Sequence, residues 1–167
     1  MNITQALKEW RETRGLTCQM QRDNFLTLIQ EELKEYYTAK NVEDKIDALC
    51  DMAVITINSS KTDISYPLSH LYPREIINPN TELGIQIDKV ISSDFDDTQT
   101  LDLLNLLATL VEGLGYDFIL CMQETIKEIS SRIGAWNEEK GKWIKDTSEE
   151  AKKLWYKADY TKCKKES

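Results

Sequence analysis

Five acidic residues in the first third of the chain have the types and spacing of a metal site. They are Glu31, Glu32, Glu35, Asp47 and Asp51. Glu32 falls on the apolar stripe of a predicted helix, and Asp51 interrupts an otherwise apolar run from residue 48 to 55. A carboxylate that faces a protein core costs free energy unless a positive group meets it, and facing carboxylates repel one another. Because oxygen ligands suit hard divalent ions, the pattern predicts a magnesium or manganese site.

Two helices joined by a short turn would position these acids. The first is predicted to begin near Arg22 or Asp23 and to run through Tyr37, and Asn41 is a good N-cap for the second, which continues to about Asn58. So short a connection favours an antiparallel αα-hairpin. Each helical residue rises about 1.5 Å along the axis. Counted outward from the connection between the two helices, the aspartates therefore lie within about two helical turns of the height of the glutamates. The carboxylates can therefore converge.

The same acids have a simpler explanation. Surface hairpins often carry solvated carboxylates one turn apart and bind nothing. The metal interpretation is favoured here because Glu32 and Asp51 are embedded in apolar stripes, and both helices offer acids at matching heights.

Helical periodicity also predicts most of the remaining chain. Further helices are expected over residues 3–13, 100–112, 117–133 and 149–160, the last two capped by Asp117 and by Thr147 or Ser148. All three prolines fall between residues 59 and 98, which predicts an insertion or long connection with at most a helical turn or two. Residues 134–146 are predicted to form a polar loop. Without strand alternation or internal repeats, residues 1–167 are expected to form a single all-α domain.

Composition narrows the classes of function. A formal net charge of −8 disfavours general nucleic-acid binding, for which a basic surface is expected. The four cysteines show no CxxC spacing, so we interpret them as free thiols in a reducing compartment rather than a disulfide framework or zinc site. The N-terminal residues lack a signal-peptide core, and the apolar runs are too short to cross a bilayer. A soluble, cytoplasmic protein without a membrane partner is expected.

A cationic segment over residues 130–145 could hold an anionic substrate near the metal. Arg132, Lys142 and Lys145 are its candidate phosphate-binding residues. For each residue taken alone, an ordinary exposed loop position is the simpler explanation.

Two other groups of residues were considered for chemistry. Trp10, Trp136 and Trp143 could stack on a nucleotide base, although buried tryptophan more often serves packing. His70 is the only histidine and lies in the proline-bearing segment, so triad catalysis is not expected. The sequence contains no GxxxxGK[ST], which excludes a P-loop as the phosphate site.

Taken together, these motifs resemble those of the all-α nucleoside triphosphate pyrophosphohydrolases, which include MazG-like enzymes, dimeric dUTPases and phosphoribosyl-ATP pyrophosphohydrolases. The similarity lies in Glu31-Glu32-x-x-Glu35, in the later run Asp47-Ala48-Leu49-Cys50-Asp51, and in residues 128–132, 142–143 and 155–160. It covers most of the chain except residues 59–98. The family's second motif is usually ExxD, whereas this chain offers Asp44-x-x-Asp47 or Ala48-x-x-Asp51. Asp47 and Asp51 rank above Asp44, which fits equally well as a first-turn partner of the helix dipole.

The resemblance implies a MazG-like helical bundle and a reaction. The expected activity is magnesium-dependent hydrolysis of a (deoxy)nucleoside triphosphate to monophosphate and pyrophosphate, with manganese as a possible substitute. The implied metal ligands are Glu31, Glu32, Glu35, Asp47 and Asp51, and Glu31 or Glu32 would also accept the proton of the attacking water. Arg132, Lys142 and Lys145 would hold the phosphate chain, and Gln5, Glu9 and Trp10 would contribute to a base pocket.

The resemblance also implies assembly, because family members complete a four-helix core between subunits. A homodimer or homotetramer is therefore expected. Two alternatives to the enzyme are kept: a catalytically silent module of the same fold that binds a nucleotide or a protein, and a structural helical protein without metal.

Overall fold

A computed structural model describes residues 1–62, 68, 71 and 75–166, the side chain of Lys142 excepted. Most of these residues are helical, which confirms the all-α prediction at a coarse level. The helices are α1 Ile3–Glu12, α2 Cys18–Thr38, α3 Val42–Ser59, α4 Pro79–Ser92, α5 Asp97–Gly113, α6 Phe118–Ser131 and α7 Glu149–Lys152, followed by a 3₁₀ turn at Tyr160–Cys163. Two strands, β1 Gly134–Asn137 and β2 Lys142–Lys145, lie between α6 and α7. His70 lies outside the described residues.

The α2–α3 hairpin is the centre of the fold. Its turn is set by Asn41, whose side chain accepts a hydrogen bond of 2.8 Å from the Asp44 backbone N–H, as the predicted N-cap requires. α2 begins one turn earlier than predicted because Thr17 caps it. α3 is buried along most of its length and packs against α1, α2, α5 and α6. The acids on α3 are therefore carried by the most enclosed helix of the protein.

The prediction of an irregular segment over residues 59–98 was wrong for its second half. α4 spans fourteen residues there, with Asn78 as N-cap and Pro79 in the first turn, where a missing N–H costs nothing. Its buried side chains Leu83, Ile87 and Val90 pack it into the core, and α4 contacts α5. The prolines marked the start of a helix as well as the connection before it.

The predicted loop at residues 134–146 was also wrong, because it contains an antiparallel β-hairpin. Trp136 lies opposite Trp143 across the two strands, and Gly141 makes the turn with a φ of 57°. Four-residue strands are too short to show a clear alternation of apolar and polar residues.

The predicted last helix stops early. Ser148 caps it as expected, accepting a hydrogen bond of 3.2 Å from the Ala151 N–H, but α7 ends at Lys152. Beyond it, the N–H groups of Tyr156, Ala158 and Asp159 donate to side chains of α6 instead of to helical carbonyls. We call residues 155–163 the C-terminal strap, because they run across α6 and α3. Among the described residues, no helix has the combination of length and hydrophobicity needed to span a membrane.

Candidate functional site

Carboxylates of α2 and α3 lie close enough to raise one another's pKa values. Glu32 is half-buried, and its Oε2 atom is buried without a hydrogen-bond partner. Burial, which is the largest cause, and the charges of four neighbouring acids together raise the pKa of Glu32 from 4.5 to about 8; the neighbours are Asp51, Glu35, Asp47 and Glu31. The five acids predicted from the sequence therefore share one electrostatic site.

Asp51 extends this site towards α6. Burial, followed by the charge of Asp47, raises the pKa of Asp51 from 3.8 to about 7. Arg132 opposes that rise, whereas Glu128 and Glu35 add to it. Charged groups of three helices thus act on one carboxyl group.

The neighbours of Asp47 and Asp44 differ. Asp47 Oδ1 accepts a hydrogen bond of 2.7 Å from the Tyr160 hydroxyl, and its Oδ2 lies 3.4 Å from the Lys157 ammonium. Asp44 is exposed and accepts a hydrogen bond of 2.9 Å from the Asn41 side chain. These contacts suit the first-turn role for Asp44, but the choice of metal ligands stays a prediction.

The donor set suits a hard cation. Five carboxylates offer only oxygen atoms, and the unpartnered Glu32 Oε2 leaves one buried acceptor unused. Across residues 1–62, 68, 71 and 75–166, however, no three His, Cys, Asp or Glu side chains are arranged to hold one ion. A bound ion would therefore require side-chain rotations that draw the carboxylates together.

Two of the three predicted phosphate-binding residues lie on the same side of the molecule. The Arg132 guanidinium pairs with Glu128 Oε1 at 2.6 Å and lies 5.9 Å from the centre of the Trp155 ring. The Lys145 ammonium lies 5.8 Å from the same ring. Lys142 contributes its backbone to β2, and its side chain falls outside the described structure. Of the predicted phosphate-binding residues with described side chains, Arg132 is the one that acts on Asp51.

The predicted base-pocket residues have other described partners. The Gln5 amide donates a hydrogen bond of 2.8 Å to Glu9 on the exposed side of α1, and Trp10 Nε1 donates one of 3.3 Å to the Ile129 carbonyl. The Arg14 guanidinium lies 4.7 Å from the Trp10 ring centre. None of the described hydrogen bonds or ion pairs joins Gln5, Glu9 or Trp10 to the acidic site. Their role in a base pocket stays a prediction.

Sequence reasoning missed three side chains that border the site: Glu128, Lys157 and Tyr160. One signal was present for the first, because Glu124, Glu128 and Arg132 recur at four-residue spacing along α6. Lys157 and Tyr160 lie in the stretch 155–160 that carries part of the resemblance, but the helix predicted there does not form, so helical spacing could not place them beside the acids.

Three cysteines that are distant in sequence meet beside the site. The thiols of Cys50 and Cys163 both influence the pKa of the Cys121 thiol, and all three are buried free thiols. Burial, together with Cys121, raises the pKa of Cys163 to about 12. Because their pKa values are raised, the thiols of Cys121 and Cys163 stay protonated at neutral pH and are poor nucleophiles.

No protein-family model matches the sequence, and neither a curated protein nor a solved structure matches it. The resemblance to the all-α pyrophosphohydrolases therefore depends on the motif residues themselves.

Proposed function

We propose that this protein is a magnesium-dependent nucleoside triphosphate pyrophosphohydrolase that produces a nucleoside monophosphate and pyrophosphate. The observation that carries the proposal is the convergence of carboxylates from α2 and α3, with raised pKa values at Glu32 and Asp51. Buried acids that repel one another cost stability, and such an arrangement is common where a ligand supplies the missing positive charge. The unpartnered Glu32 Oε2 supports the same conclusion.

The proposed cation ligands are Glu31, Glu32, Glu35, Asp47 and Asp51. When bound, magnesium, or manganese in its place, would neutralise these carboxylates and the charge that develops on the phosphate oxygens. The carboxylates give the α2–α3 surface a negative charge, which would repel a free nucleotide. The site would therefore bind a nucleotide only together with its cation.

Of the two predicted proton acceptors, Glu32 has the stronger support. Glu32 is half-buried among the other acids, where bulk water is partly excluded, whereas Glu31 lies on the exposed side of α2. In the proposed reaction, Glu32 accepts a proton from the water that attacks the phosphorus atom.

Arg132 is the proposed main contact of the phosphate chain. Its guanidinium can form paired hydrogen bonds with phosphate oxygens, and its present partner Glu128 holds it beside Asp51. Lys145 and Lys142 are proposed to extend this positive edge along β2.

A pyrophosphate-release assay tests the enzyme. Purified protein with magnesium is screened against standard and modified ribo- and deoxynucleoside triphosphates, alongside Glu32→Gln and the exposed control Glu150→Gln. At least one nucleotide should yield pyrophosphate, and Glu32→Gln should lower kcat/KM by about 100-fold or more. Absence of release from every nucleotide, with metal bound normally, would contradict the proposal.

One observation favours a catalytically silent nucleotide-binding or protein-binding module instead. No three candidate ligands in the described part of the chain are arranged to hold one ion. This alternative predicts that Glu32→Gln and Asp51→Asn leave nucleotide or partner binding largely intact. Isothermal titration of those variants with the best nucleotide of the screen separates the two functions.

We also propose that the protein assembles as a homodimer or homotetramer. Leu26, Leu33 and Tyr37 lie on one side of α2, where Leu26 is 52% exposed and Tyr37 is 49% exposed. Sedimentation equilibrium should show a mass above the 19.4 kDa of one chain. Leu26→Glu should shift the equilibrium towards the monomer.

A further inference from the structure

Lys157 lies between acids of two helices. Its ammonium is 3.4 Å from Asp47 Oδ2 on α3 and 3.4 Å from Glu128 Oε2 on α6. Both acids belong to the charge group that raises the pKa of Asp51. Lys157 therefore supplies positive charge to the edge of the proposed metal site.

The backbone on both sides of Lys157 is held in place. The Tyr156 N–H donates a hydrogen bond of 2.8 Å to Ser131 Oγ, and the Ala158 N–H donates one of 2.7 Å to Glu128 Oε2. The Tyr160 hydroxyl anchors the next turn on Asp47. The start of the side chain is consequently fixed by the backbone, and its ammonium is held by the two ion pairs.

The ion pairs of Lys157 are longer and more exposed than the 2.7 Å hydrogen bond that Tyr160 makes to Asp47. The Lys157 side chain is 74% exposed. Burial lowers the pKa of Lys157, but Asp47 and Glu128 raise it by more, so the group is charged at neutral pH. An exposed ion pair of this length contributes little to stability.

An open cleft of about 120 Å³ gives this ammonium room to move. Asp44, Asp47, Lys157 and Tyr160 are among the residues that line it. A divalent cation at Asp47 would repel an ammonium group a few ångströms away, whereas a phosphate chain would attract it.

We propose that Lys157 is an internal counter-ion that releases Asp47 when a divalent cation binds and then pairs with the phosphate chain of the substrate. This inference rests on the proposed function, because it requires a cation and a polyphosphate at the α2–α3 acids. It assigns Lys157 a part in phosphate binding that its sequence context does not indicate.

Binding measurements on the full chain test this role without requiring turnover. Two probes are used: Mn²⁺ alone, and inorganic tripolyphosphate in the presence of saturating magnesium. Isothermal titration calorimetry measures the dissociation constant of each probe. The variants are Lys157→Met, which keeps most of the aliphatic stem, and the exposed control Lys153→Met.

The two probes should respond in opposite directions. Lys157→Met should bind Mn²⁺ about two- to fivefold more tightly, since it loses a competing ion pair. It should bind tripolyphosphate about tenfold more weakly, since it loses a charged phosphate contact. Lys153→Met should match the wild type with both probes.

The contrary outcomes are separable. If Lys157→Met matches Lys153→Met, or weakens both probes, the counter-ion role is wrong while the proposed enzyme can stand. If the opposite shifts occur but no nucleotide is hydrolysed, the counter-ion role stands and the proposed enzyme fails. A wild-type protein that binds neither probe would overturn both.

Discussion

The Tyr160 hydroxyl donates a hydrogen bond of 2.7 Å to Asp47 Oδ1, joining two residues 113 positions apart in the chain. Tyr160 is buried, and its hydroxyl also lies 3.0 Å from Thr125 Oγ1 on α6. The C-terminal strap is thereby tied to an acid of the proposed metal site and to the helix beneath it.

Removing that hydroxyl should destabilise the protein by a modest amount. Tyr160→Phe keeps the packed ring and should lower the free energy of unfolding by about 1.5–3 kcal/mol, because the hydrogen bond to the Asp47 carboxylate is lost. Urea denaturation of the variant and the wild type at one protein concentration measures the change. A variant as stable as the wild type would show that the hydrogen bond contributes nothing measurable.

The stability of the metal-free protein should fall as the pH rises from about 5 to 8. The pKa of Glu32 is about 8 in the folded protein, against an ordinary 4.5, so the folded state holds a proton that the unfolded state releases. An acid whose pKa is raised on folding lowers the free energy of unfolding as the pH rises, and the loss is complete once the pH exceeds its pKa in the folded protein. Asp51, with a pKa of about 7, acts in the same direction.

Glu32→Gln tests this dependence because it removes one of the two titrating groups. In buffer with EDTA, the variant should lose less stability than wild type over that range and should be about 1–3 kcal/mol more stable at the upper end. Urea denaturation at several pH values measures this, with Glu150→Gln as control. A wild-type curve that rises with pH would contradict the assigned cause.

Arg14 should be important for attaching the β-hairpin. Its guanidinium lies between the rings of Trp10 and Trp143, 4.7 and 4.8 Å from their centres, and donates to the carbonyls of Ile129 and Arg132. Arg14→Ala should cost about 2–3 kcal/mol of unfolding free energy and shift tryptophan emission to longer wavelength.

Arg14→Lys should recover only part of that loss, because an ammonium cannot lie flat against two rings while donating to both carbonyls. The exposed Lys140→Ala in the hairpin turn is the control for loss of charge. Full recovery by lysine would show that charge alone matters at position 14.

Two glycines should respond to alanine in opposite ways. At Gly134 a Cβ would lie 2.3 Å from the Ile144 carbonyl oxygen and 2.4 Å from the Trp143 ring, so Gly134→Ala should cost about 2–3 kcal/mol. At Gly84, inside α4, a Cβ meets nothing within 4 Å, so Gly84→Ala should add about 0.5–1 kcal/mol. Thermal denaturation shows whether each substitution raises or lowers the melting temperature. A stabilising Gly134→Ala would contradict the packing of the β-hairpin.

The sequence by itself determined the α2–α3 hairpin and its group of acids. Helical period, the Asn41 cap and a short connection are local properties, and together they place the aspartates within about two turns of the glutamates. The sequence is sufficient here because the cap, the helical period and the connection each involve only a few neighbouring residues. The constant rise per residue then converts the spacing in sequence into a position along the helix.

Local patterns failed where distant contacts outweigh local preference. The C-terminal strap has helix-forming residues, yet its N–H groups donate to Glu124, Glu128 and Ser131, which the sequence places far upstream. The β-hairpin likewise depends on Trp143 packing against Arg14 from the first part of the chain.

Only the tertiary structure decided which groups surround the acids. Lys157 reaches Asp47 across 110 residues, and Arg132 reaches Asp51 through the packing of α6 on α3. Periodicity records which side of a helix is apolar but not which distant residue covers it. The carboxylates could therefore be identified from the sequence, whereas their partners required the fold.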